Sequence, residues 1–202
     1  MPDSLTPRER LLVAAREVVA KDGLEGLTLR AIARQAGVSH GAPLRHFPTL
    51  ASLLAALAAE GFARLVDAVD DAIAQASTSA GHPLTPVERL AVAGRAYVDR
   101  ALADPGVFAI TFRPERCDID DDAYQHEAAR SFGQLVELVE AAQADGWHPD
   151  EPAVVVAGVL WANVHGVAEL ALHGGLEAVV GPDPIDTLWP VATRLLFEQG
   201  GT

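Results

Sequence analysis

The sequence predicts an all-α chain. Three observations lead there. Apolar residues recur at helical spacing in one stretch after another, pairs such as Thr6-Pro7, Thr85-Pro86, Asp104-Pro105 and Asp183-Pro184 stand where helices begin, and no run alternates apolar and polar residues as a half-buried strand does. Half of the 202 residues are hydrophobic, which is enough to bury a large core.

The elements follow in order. Residues 1–5 are expected to be disordered. Thr6 caps a helix with Pro7 in its first position, and Leu11, Leu12, Ala15, Val18 and Val19 form its apolar face to Lys21. Gly23 stops it. Thr28 caps a second helix in which Leu29, Ile32, Ala33 and Ala36 share one face and Arg30, Arg34 and Gln35 the other. Gly37 ends that helix with a left-handed turn, and Val38 tucks beneath it. Ser39 is a second cap, and a short third helix is expected from His40 or Gly41 to about Phe47, with Pro43 tolerated only in its first turn because proline lacks an N–H.

A long helix then runs from Thr49 to about Ser77, spanning ~40 Å and long enough to join two domains. Residues 77–83 read as a loop. Further helices are expected from Pro86 to about Ala103, from Pro105 through Phe112, from Asp120–Asp122 to about Asp145, from Pro152 to about His173, and from Pro184 to near Glu198 after a Gly/Pro-rich link. The organisation is a three-helix head at about 1–47 and a helical body at 48–202.

Two short helices, a tight glycine turn and a cationic outer face describe a helix-turn-helix, whose second helix enters the DNA major groove. An αα-hairpin in a helical core is the competing reading. The charge distribution favours the first. Net charge is −13, yet residues 1–50 hold seven Arg/Lys against five acids, and the remainder holds eight against 23. A mildly basic head on an acidic body fits a DNA reader joined to a separate sensing module.

The stretch also resembles the DNA-binding domain of the TetR family of bacterial repressors. The resemblance is carried by the helix Arg8–Lys21, then AIARQAGVSHGA, then RHFP, then the long helix. It implies base contacts from Ser39, His40, Ala42 and Arg45, with Pro43 in the same segment, and phosphate contacts from Thr28 and His46. It implies a homodimer on a near-palindromic double-stranded operator, released by a small-molecule effector. Two departures stand out: Leu44 replaces the family's usual tyrosine and Leu50 its usual lysine, and both usual residues touch phosphates. These leucines keep open a relative that has lost DNA binding and acts through a protein partner.

The segment from Ala153 to Leu172 is apolar nearly all round. Asn163, His165 and Glu169 argue against a membrane span, and a homodimer interface shared with the last helix is the expected use. Trp161, His165 and Glu169 stand four residues apart on one helix face. LWANVHG resembles the Trp…His-Gly signature of the WHG type of TetR C-terminal domain. Trp161 and His165 are therefore candidate ligand contacts, with Tyr97, Phe108, Phe112, His126 and Phe132 beside them. A core histidine paired with Glu169 is the plain alternative, and a helical enzyme with His165 as base and Glu169 as its orienter is the competing class.

No metal or cofactor is expected. Asp118, Asp120 and Asp122 begin like a calcium loop, but Ala123 and Ala129 stand where its glycine and terminal glutamate are needed. His126-Glu127 lacks the second histidine of a zinc-protease helix, since that position is Arg130. No catalytic residue is assigned. Cys117 is the only cysteine, which excludes an intrachain disulfide, and the N-terminus lacks the apolar core of a signal peptide; both suit the cytoplasm.

Overall fold

In the computed structural model, which describes residues 5–39 and 41–197, all regular structure is helical. The expected disorder of residues 1–4, the placement of His40 and the helix end at Glu198 lie outside the described residues. The α-helices are α1 (Pro7–Asp22), α2 (Leu29–Gln35), α3 (Leu50–Ala80), α4 (Pro86–Ala103), α5 (Pro105–Thr111), α6 (Asp122–Ala144), α7 (Ala153–Leu172), α8 (Gly175–Val180) and α9 (Pro184–Phe197).

Their starts are local chemistry. Thr6 and Glu9 form a capping box on α1, each side chain satisfying the other's backbone N–H. Thr85 and Glu88 repeat the arrangement on α4. Thr49 accepts from the Ser52 N–H at the start of α3, and Asp121 accepts from the Tyr124 N–H at the start of α6. These oxygens satisfy donors that a helix N-terminus leaves unpaired.

Two expectations need correction. The third helix of the head is a single 3-10 turn, Pro43–Arg45, with the Pro43 ring buried at its first position. Ala42 keeps right-handed helical angles (φ −65°, ψ −40°) despite the proline after it. The link before α9 is not wholly irregular: it contains α8, which starts after Gly174 in the left-handed region (φ 73°).

The chain packs as two compact units, Met1–Arg64 with Asp104–Ala129, and Leu65–Ala103 with Arg130–Thr202. The first is built around Leu11, Leu12, Ile32, Leu53, Leu57 and Ile110, all under 3% exposed. Arg16 pairs with Glu60, Arg64 reaches Glu60 at 3.5 Å and Asp104 at 3.8 Å, and Asp104 caps α5. Arg116 donates to the Leu24 carbonyl at 3.2 Å and pairs with Glu25 at 2.8 Å, which fastens the segment after α5 to the turn after α1.

Gly61 allows α3 and α5 to touch. A Cβ there would run into Thr111 Oγ1 and lie 3.1 Å from Val107 Cγ1. Thr111 cannot swing aside cheaply, because it is buried and its hydroxyl donates to the Val107 carbonyl at 2.8 Å. Gly61→Ala should therefore destabilise the protein by ~1–3 kcal/mol through overpacking. Gly133, in α6, meets nothing within 4 Å of its would-be Cβ. Gly133→Ala should instead stabilise by up to ~1 kcal/mol through helix propensity. Urea denaturation of both variants checks the pair, and equal shifts would discard the packing argument.

The second unit is built around Val69, Leu90, Leu138, Val139, Ala142, Ala157 and Leu160. Arg95 of α4 pairs with Asp99 at 2.9 Å and with Asp186 of α9 at 2.7 Å. α7 carries an uncovered apolar face. Val154, Val155, Val159 and Leu170 are each more than half exposed, and Val191 and Leu195 of α9 are exposed too. At 1.6 mean hydropathy, α7 is long and apolar enough to cross a membrane.

Candidate nucleic-acid interface and ligand cluster

The head surface follows from the turn at Gly37. Its φ of 66° is in the region glycine favours. The chain reverses there, the Val38 N–H reaches back to the Ala33 carbonyl at 3.0 Å, and Val38 packs against the core. Successive turns follow, with Ala42 N–H on Ser39 O at 2.9 Å, Arg45 on Ala42 at 3.2 Å and Phe47 on Pro43 at 2.8 Å. Ser39 closes the first of these turns with its carbonyl.

The turns sort the side chains. Pro43 and Phe47 are buried, and Leu44, Arg45 and His46 are exposed. Pro43 is buried, so within the segment its ring supports the exposed residues beside it. Ser39 is exposed and Ala42 half-buried. The Arg8 guanidinium lies 5.0 Å above the Phe47 ring centroid, a cation–π contact that ties the start of α1 to the end of the segment. Gln35 donates to Glu17 at 2.7 Å and holds α2 on α1.

Thr28 spends its oxygen on the Ala31 N–H at 3.1 Å, as an N-cap should, and stays exposed. A hydroxyl in that role still has a proton to donate outward. Arg10, Arg30 and Arg34 are also exposed. Leu44 is 55% exposed, whereas Leu50 packs partly onto the core. The two departures from the family pattern thus stand in different surroundings.

The candidate ligand residues separate. Tyr97, Phe132, Trp161 and His165 come together in the second unit. Trp161 Nε1 donates to Tyr97 Oη at 3.3 Å, and Tyr97 Oη lies 2.8 Å from His165 Nδ1. The Trp161 ring centroid is 6.1 Å from Phe132 and 6.0 Å from His165. Burial pushes the Tyr97 phenol well above its usual range, outweighing the opposing Trp161 hydrogen bond, and Glu169 adds to the rise.

Phe108 and Phe112 belong instead to the first unit. They pack 4.9 Å apart, and Phe112 meets Phe62 edge-on at 5.5 Å. Phe62 in turn meets Tyr124 at 5.9 Å. His126 turns outward, with 74% of its side chain exposed, and stands apart from the Trp161 cluster in the first unit. His165 Nε2 is 3.9 Å from Glu169 Oε1, beyond a direct hydrogen bond, and Tyr97 is the close partner. That pairing was not readable from sequence, because 68 residues separate Tyr97 from His165.

The Gly37 turn between α2 and the 3-10 segment gives this all-helical chain a helix-turn-helix. Residues 11–57 match the model of bacterial regulatory proteins of the tetR family, and residues 90–196 match the tetracyclin repressor-like C-terminal domain. The chain belongs to the TetR family of transcription regulators.

A Rhodococcus sp. RHA1 protein of unknown function is 32% identical, with a TM-score of 0.81 over 98% of this chain and 97% of that one. A tetR-family regulatory protein from Rhodococcus RHA1 shares the fold at 22% identity, with a TM-score of 0.70 over 96% of both chains. So does the transcriptional regulator FadR from Bacillus subtilis in complex with stearoyl-CoA, at 15% identity and a TM-score of 0.65 over 96% of this chain and 99% of that one. No curated protein matches.

Proposed function

We propose that this regulator is a repressor that binds a near-palindromic operator as a homodimer and leaves it when a small molecule occupies the cluster at Trp161 and His165. The head at about 1–47 presents Ser39, His40, Ala42 and Arg45 to base edges, and Thr28 and His46 to phosphates. The two heads sit in successive major grooves, ~34–36 Å apart. The body stays clear of DNA, as its acidic excess favours.

The observation that supports this reading is that α7 carries both the Trp161 and His165 cluster and an uncovered apolar face. Trp161 and His165 lie on one face of it. Val155 and Val159, both exposed, and the half-buried Gly166 lie roughly a third of a turn away, at 3.6 residues per turn. Gly158, Ala162 and Gly166 recur every four residues, and no atom lies within 4 Å of where a Cβ on either glycine would be. A second copy can bring its own α7 close there, with the exposed apolar residues of α9 extending the seam. A molecule at Trp161 then acts on the helix that sets the distance between heads. It shifts the equilibrium by its differential affinity for the two arrangements. The Bacillus subtilis FadR structure, with stearoyl-CoA bound, shows that a protein of this fold can hold such a molecule.

Selection of binding sites from random duplexes tests the first half, and recovery of no preferred sequence would reject it. For the second half, Trp161→Phe and His165→Gln should fold, dimerise and bind operator like the parent. Each loses a polar contact in the cluster, so release should require about two- to tenfold more effector. Operator binding titrated with an effector found by thermal-shift screening measures this. Unchanged release in both variants would make that face ordinary core.

A further inference from the structure

Leu44 places an apolar side chain on the outer surface of the head. The 3-10 turn Pro43–Arg45 completes about three residues per turn, so neighbouring side chains diverge by about 120°. Pro43 and Phe47 are buried, and the Phe47 N–H reaches the Pro43 carbonyl at 2.8 Å. The core thus holds both ends of the segment, and Leu44, Arg45 and His46 stand exposed between them. Leu44 is 55% exposed, more than any other large apolar side chain among the described residues of the head. Gly41, one turn earlier, adds no side chain, and nothing lies within 4 Å of where its Cβ would be.

A lone exposed leucine on an ordinary surface calls for no explanation. This one lies beside Arg45 and His46, in the segment that a helix-turn-helix turns toward the major groove. Its chemistry restricts what it can meet there. Leucine has no hydrogen-bonding group, so it cannot hold a phosphate, and pressing it onto one strips water from the charge at a cost. The major groove presents donors and acceptors on every base pair, and one apolar group, the C5-methyl of thymine. A branched aliphatic side chain packs on that methyl by excluding water from both.

We infer that Leu44 is a specificity residue of the head, reading a thymine in each operator half-site by packing on its C5-methyl. The partner it fits is duplex DNA with a thymine at one fixed position. This rests on the reading of the head as an operator binder.

The full chain is first used to select sites from random duplexes. Each thymine of the selected operator is then replaced by deoxyuridine, which keeps the base pair and removes only the methyl. At one position per half-site the exchange should weaken binding about three- to fivefold, the value of one buried methyl group. Leu44→Ala should bind thymine and uracil there alike, with unchanged helicity by circular dichroism, because the side chain is exposed. Every other uracil exchange should act on both proteins equally. No thymine sensitive to loss of its methyl, or a Leu44→Ala variant that keeps the parent's sensitivity, would overturn the inference. So would Leu44→Ala binding the operator as tightly as the parent, which would leave Leu44 to a protein partner. Selection that recovers no preferred sequence would reject the operator reading itself, and the inference with it.

Discussion

If the regulator is the proposed homodimer, Val159→Asp should convert it to a monomer and lower its operator affinity by about 10²–10⁴-fold, the advantage lost when two linked heads bind independently. Val159 lies in the exposed apolar face of α7, two turns before Gly166. In a lone chain its side chain is more than half in water, so an aspartate there leaves the packed core alone. In the proposed dimer the same carboxylate would enter an apolar seam, and burying a charge there is costly. Helicity by circular dichroism should be unchanged. Light scattering after size exclusion gives the mass, and operator titration gives the affinity. A dimer that survives the substitution would move the seam off this face of α7.

Arg45→Ala should cost ~1–3 kcal/mol on the preferred operator and much less on random duplex, as for an arginine that contacts guanine O6 and N7 together. Arg45 ends the 3-10 turn of the head and is exposed, while the buried Pro43 two residues earlier anchors the turn that carries it. Removing its side chain touches nothing in the core, so stability should not change. Arg30, exposed on α2, serves as the comparison. If it meets phosphate, Arg30→Ala should weaken all duplexes alike and flatten the slope of log K against log salt by about one unit per protomer. An Arg45→Ala loss of equal size on every duplex would reduce Arg45 to the same role.

Much of this molecule was legible before folding was considered. Helix starts were readable because their causes are local: Thr6 with Glu9 and Thr85 with Glu88 close boxes three residues apart. Gly37 declared the turn by the same logic, since its positive φ is a property of one residue. The recognition segment was read too long. A proline restricts its own neighbourhood in a way that sequence shows, but whether α or 3-10 bonding wins around Pro43 depends on burying its ring.

The ligand residues were harder to read, because aromatic residues look alike in a list. Phe108 and Phe132 are equally apolar in sequence, yet one packs with Phe112 and the other with Trp161. His126 looked as suitable as His165, but exposure separates them. The family, the all-α class, most helix starts and the exposed arginines of the head were determined by the sequence itself, through spacing, caps and motif order. The inward turn of Pro43, the sorting of the aromatics and the meeting of Trp161, Tyr97 and His165 were decided only by tertiary structure. These depend on which distant side chains meet, and the local forces of a helix carry no information about partners 68 residues away.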